Sequence, residues 1–141
     1  MNVDGSWNRE KKLARFGIIL KGDARIFVAA RCGSFEDISF PLQVEAMAVR
    51  EGLVWVVNRG FQNTNVRAIC FKLWMCQEIT IDIKALLSTI TEVTITHTLR
   101  QANGVAHRLA RLGLSLSQVC DWYDSPPNLV VDLLVEEILL P

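Results

Sequence analysis

Residues 41–60 read PLQVEAMAVREGLVWVVNRG, and the reading of this stretch decides the fold. Counting from Glu45, residues Ala48, Val49, Gly52, Leu53 and Val56 fall at i+3, i+4, i+7, i+8 and i+11, the spacing that lines up side chains along one face of an α-helix. Pro41 stands where a first-turn proline is tolerated, and Gly60 where a helix closes through a left-handed residue. Gln43, Arg50, Glu51 and Asn58 occupy the less apolar side. The stripe therefore holds one acid, Glu45. An inward carboxylate needs a cation, a metal ion or hydrogen-bond donors, because burying it bare is costly. The plainer alternative is that Glu45 serves the helix N-terminus and its dipole from the first turn.

On either side of this helix the text alternates between extended and helical runs. Before it, residues 2–7 start a strand in which Asp4 alternates with Val3 and so leaves the core side. LARFGIILK (13–21) and RIFVAARC (25–32) then read as two strands around a Gly22-Asp23 turn. After it, TNVRAI (64–69) is a short β-prone run, and the order implies a crossover with parallel pairing to an earlier strand. Ile79, Ile83, Leu86, Leu87 and Ile90 predict an amphipathic helix. EVTITHT (92–98) predicts a strand with one polar face. From 101 to 116 the pattern is helical again, with Ala102, Val105, Ala106, Leu109, Leu112 and Gly113 inward. The summed order predicts an α/β domain with a mixed sheet. It is expected to span 1–118, followed by a tail (119–141) with a Pro126-Pro127 break and an amphipathic stretch.

Composition narrows the function classes. The 141 residues suffice for one domain with a real core, and half of them are apolar, which excludes a disordered chain. Fifteen basic residues balance fifteen acidic ones, so any attraction for nucleic acid must be local. Arg9, Lys11, Lys12 and Arg15 form one basic cluster, and Arg100, Arg108 and Arg111 another. No run reaches the roughly 20 apolar residues of a membrane span. The four cysteines lack C-x-x-C spacing and no signal-like leader precedes them. An intracellular protein, nuclear or cytoplasmic and not secreted, is expected.

Asp4 and Glu45 together form the kind of oxygen pair that suits a hard divalent cation such as Mg²⁺. Four stretches occur in a fixed order: NVDGSW (2–7), VEAMAVREGL (44–53), the G-F-x-N-x-x-V of 60–66, and HTLRQANGVAHRLAR (97–111). In that order they resemble the ribonuclease H domains of plant genomes, the reverse-transcriptase-associated type found in retrotransposon-derived proteins. The resemblance implies a ribonuclease H-like mixed five-stranded sheet flanked by helices. It also implies Mg²⁺-dependent cleavage of the RNA strand in RNA–DNA hybrids.

Several residue roles follow from the resemblance alone. Asp4 matches the first metal-binding aspartate and Glu45 the glutamate on the crossover helix. The third acid is expected in a V-E-S-D-C-like text, but this chain reads V-R-A-I-C, with Ile69 at the aspartate position and Arg67 beside it. The fourth acid position, four residues after Asn103, is His107. His97 matches a histidine associated with product release, where proton transfer is its natural role. The chain also looks shortened between strand 4 and the following amphipathic helix, since only Phe71 to Glu78 remain there.

Two of four metal-binding acids are thus replaced, and His107 is a poor ligand for Mg²⁺. The expectation is impaired or absent catalysis, with Mn²⁺ better tolerated than Mg²⁺. Arg100, Asn103, Arg108 and Arg111 are the expected contacts to a hybrid or other nucleic acid, read through backbone shape and 2′-hydroxyls. The competing classes are a catalytically dead nucleic-acid-binding module and a protein-interaction domain docking through residues 129–140. The oligomeric state is left open by the sequence.

Overall fold

The computed structural model describes residues 1–38, 40–61, 63–68, 77–90, 92–112 and 118–139. Strands β1 (Asn2–Asn8), β2 (Leu13–Lys21) and β3 (Phe27–Phe35) precede helix α1 (Pro41–Asn58). Strand β4 (Asn63–Ala68), helix α2 (Gln77–Leu87) and strand β5 (Glu92–His97) follow. Helix α3 (Gly104–Leu112), strand β6 (Cys120–Tyr123) and helix α4 (Val131–Leu139) complete the order. The sheet runs β5-β4-β1-β2-β3-β6. Pairs β1–β2, β2–β3 and β3–β6 are antiparallel, and β1–β4 and β4–β5 parallel. The mixed sheet and the crossover through α1 match the expectation; the sheet has six strands, one more than expected.

Helix α1 forms as its sequence directs. Pro41 stands in the first turn, and Val44, Ala48, Val49, Gly52, Leu53 and Val56 are buried. Gly60 adopts φ +75, and Phe61 N–H donates to the Val56 carbonyl at 3.0 Å, closing the helix through a left-handed residue. The buried arc extends to Ala46 and to Trp55 on opposite flanks: α2 packs against α1, with Arg50 bonding Asp82 of α2 at 2.9 Å, while Trp55 lies under Arg31 and beside Tyr123.

Side-chain alternation along β2 divides the core into two layers. Phe16, Ile18 and Leu20 join Val3, Leu53, Val56 and Ile83 under α1 and α2. Ile19 turns the other way with Ala30 and Cys32, onto Val105, Ala106 and Leu109 of α3 and Leu134 of α4. Each fully buried aliphatic side chain contributes roughly 1.5–3 kcal/mol. The sheet is therefore covered on both faces, which corrects the expectation for Asp4. It does alternate away from Val3, but into the layer beneath α3, where it is fully buried.

Two local readings need correction. A short 3-10 turn, Asp23–Arg25, joins β2 to β3, with Ala24 and Arg25 at positive φ. It is longer than the Gly22-Asp23 turn expected, and Gly22 N–H donates to Ile26 O at 2.8 Å, so the strand begins at Phe27. The helix expected from 101 begins as a 3-10 turn, Arg100–Asn103, and is α-helical only from Gly104, which leaves Ala102 exposed. Trp122 and Tyr123 belong to β6, which pairs Ala29–Cys32 of β3. Ile69 and most of the region read as shortened (69–76), with residues 113–117, lie outside the described residues.

Candidate active site and nucleic-acid interface

Two glycines bring three elements to one place. Gly5 of β1 lies under Val44; a Cβ there would stand 2.7 Å from Val44 Cγ1. Gly17 of β2 pairs with Asp4, and a Cβ at Gly17 would overlap the backbone of Ala106 and Ala110. Helix α1 therefore sits close on one side of β1 and α3 on the other. Glu45 and His107 are carried to Asp4 by these approaches.

Asp4 Oδ2 lies 2.7 Å from His107 Nδ1. Asp4 Oδ1 and Glu45 Oε2 are buried and have no hydrogen-bond partner among the described residues. Burial pushes the Asp4 carboxyl above its ordinary range, against the hydrogen bond from His107 and the charge of Arg100. Glu45 is pushed up to about 8, first by burial and then by the like charge of Asp4. The Gly5 N–H and the charge of Arg100 pull it back. Arg100 Nη1 stands 3.3 and 3.5 Å from the two ring nitrogens of His107. With Asp4 ionised, Nδ1 carries the hydrogen and donates it to the carboxylate. A cavity of about 270 Å³ opens here between Trp7, Pro41, Glu45, Arg100 and His107.

The remaining expected residues divide. Arg100 and Arg111 are exposed on the 3-10 turn and the last turn of α3. Asn103 is buried; its Nδ2 donates to Val3 O at 2.8 Å, and its Oδ1 accepts from Asn2 Nδ2 at 3.0 Å. It pins the start of α3 to β1. Arg108 bonds both oxygens of Asp132, at 2.6 and 2.8 Å, and Leu129 O at 2.8 Å, holding the C-terminal segment on α3. His97 ends β5 exposed, in register with Ala68 of β4. It is two strands from β1, roughly 10 Å away at ordinary strand spacing. Arg15 of the first basic cluster is buried, while Arg9, Lys11 and Lys12 are exposed. Sequence reasoning missed Asn2, Trp7 and Gly17. Of these only Gly17 carried a signal, a glycine in a strand interior, which marks a close backbone approach.

The two unpartnered carboxylate oxygens suit one hard divalent cation held by Asp4 and Glu45, with water completing its sphere. Among the described residues no three His, Cys, Asp or Glu side chains group to hold a metal ion. A full protein cage is therefore not what the described residues offer.

Comparison with known proteins agrees with this fold. The family model for reverse transcriptase-like proteins matches residues 2–113. RNase H1 from the halophilic archaeon Halobacterium salinarum superposes with a TM-score of 0.72 at 20% identity, over 80% of this chain and 94% of that one. The N-terminal RNase H domain of a Mycobacterium tuberculosis protein gives 0.67 at 16%, over 80% and 93%. LC11-RNase H1, solved in complex with an RNA/DNA hybrid, gives 0.69 at 14%, over 81% and 97%. At these identities the likeness establishes the fold. No curated protein matches the chain significantly in sequence.

Proposed function

The chain belongs to the reverse transcriptase-like family, and from that premise we propose that it binds RNA–DNA hybrids and retains only a reduced capacity to hydrolyse their RNA strand. The observation that carries this reading is the meeting of Asp4 and Glu45. Each brings an unpartnered buried oxygen, and His107 is hydrogen-bonded onto Asp4 where the resemblance expects a fourth acid. The order of the motifs supports descent from a retrotransposon-derived plant protein.

Asp4 and Glu45 are the residues that would hold Mg²⁺ or Mn²⁺. The cation, when bound, supplies charge at the attacked phosphodiester and an activated water. His107 holds Asp4 through Oδ2 and leaves Oδ1 for the cation. Arg100, exposed at the cavity rim, and Arg111, farther along α3, face solvent where phosphates would pass. A hybrid is recognised by backbone shape and 2′-hydroxyls, so binding is independent of base sequence. It weakens steeply with salt as condensed counterions are released.

A labelled hybrid incubated with the protein in Mg²⁺ and in Mn²⁺, followed by anisotropy and gel analysis, tests this. Expected are salt-sensitive binding and slow cleavage seen only with Mn²⁺. The cleavage should vanish in Asp4→Asn while binding persists. Fast Mg²⁺-dependent turnover, or no binding even at low salt, would overturn the reading.

A further inference from the structure

A second cavity, about 620 Å³, opens at the β1–β2 hairpin and is lined by Trp7, Arg9, Lys12, Asp37 and Ile38. Trp7 belongs to the walls of both this cavity and the one at Glu45 and His107, so the two are neighbours across a single indole. The ring packs against Ala14, Ile38 and Val44, yet its Nε1–H is buried with no acceptor among the described residues. A donor left in that state has lost its hydration and gained nothing in return. Arg9 and Lys12 are exposed, and neither forms an ion pair with a described residue. Asp37 is the one acid among the described lining residues, so these carry an excess of positive charge. Two cations and a donor without an acceptor make a receptor for an anionic oxygen group.

We propose that this cavity binds the phosphodiester backbone of the same nucleic-acid strand that crosses the Asp4–Glu45 site. Arg9 and Lys12 pair with phosphates, and the Trp7 N–H gains the acceptor it lacks from the bound strand. The inference rests on the hybrid-binding reading and deepens it. Spacing supports it: Asp4 to Asn8 is four residues of β1, roughly 13 Å at about 3.3 Å per residue. A strand rising about 3.4 Å per nucleotide covers that in about four nucleotides. The hairpin then extends the contact beyond the reacting phosphate, through the Trp7 shared by both cavities.

Anisotropy of a labelled hybrid over a salt series separates the contributions. Replacing both cations (Arg9→Gln with Lys12→Gln) should make the plot of log affinity against log salt shallower by about 2 and lower low-salt affinity at least about tenfold. Trp7→Phe keeps the ring and removes the N–H. It should weaken binding by roughly three- to tenfold and leave the slope unchanged, because an uncharged donor releases no counterions. Arg100→Gln, at the first cavity, should lower the slope by about 1 and reports on the hybrid-binding reading itself. Melting curves of all variants check that each is folded; Arg9 and Lys12 are exposed and give variants that stay so. If wild type binds and the double variant keeps the wild-type slope, the second cavity is not a backbone site, whatever Trp7→Phe does. If wild type binds no hybrid at low salt, the hybrid reading falls and this inference with it.

Discussion

Glu45 keeps its proton to about pH 8 in the folded chain, against an ordinary value of 4.5, because it is buried beside Asp4. Between those two values the unfolded chain has released a proton that the folded one retains, so stability falls as pH rises from about 4.5 to about 8 and then levels. Asp4 shifts in the same direction. Glu45→Gln removes that penalty. Its melting temperature should match wild type near pH 4 and exceed it at pH 8, by roughly 4 °C for each kcal/mol regained. A variant that melts below wild type at pH 8 would contradict this assignment. A divalent cation requires both acids ionised, so stabilisation by Mn²⁺ should be larger at pH 8 than at pH 6. The acids themselves were legible from motif order and helix spacing. The inward position of Glu45 was legible too, from the helical stripe, but the burial of Asp4 was not, because alternation along one strand says nothing about what covers its other face. Asn103 and Arg108 show a related limit: side chains suited to phosphate are equally suited to carbonyls and carboxylates of the same chain. Here Val3 O, Leu129 O and Asp132 take them.

At the scale of elements, the site exists because α3 lies directly on β2. Gly17→Ala would place a methyl group in the backbone of Ala106 and Ala110. Backbone cannot swing aside as a side chain does, so the expected cost is about 3 kcal/mol or more, at the upper end for overpacking. Gly22→Ala, where the nearest atom would be 3.5 Å away, is the matched control and should be near neutral. Urea unfolding of the pair measures the difference; equal midpoints would mean that α3 has room to shift. Helix α1 and its left-handed close at Gly60 were readable because each rests on local rules of spacing and termination. The 3-10 start of α3 was not. The segment Arg100–Asn103 has helical composition, but Asn103 and Asn2 tie it to β1, and that tertiary bond cannot be seen in a periodicity.

Over the whole molecule, β6 is held by its ladder to β3 and by side chains that converge on one guanidinium. Arg31 of β3 bonds Asp121 at 2.7 and 2.8 Å and Glu51 of α1 at 3.1 Å, and lies 5.1 Å over the Trp55 ring. Trp55 Nε1 in turn donates to Tyr123 OH at 3.3 Å, and that hydroxyl to Asp121. Arg31→Ala strands two half-buried acids, with an expected loss of roughly 2–4 kcal/mol. Hydrogen exchange should quicken first at residues 120–123; protection there equal to wild type would count against the role given to Arg31. This strand escaped the sequence because four residues carry too little pattern and their partner lies about ninety positions earlier. Its presence has a consequence for how the protein behaves in concentrated solution. β6 screens only Ala29–Cys32 of a nine-residue strand. Once it lifts, β3 offers a continuous row of open amides and carbonyls with apolar residues on either side, a template for another chain to extend. Weakening Arg31 should therefore reveal itself as turbidity and intermolecular β-structure before any change in the helices.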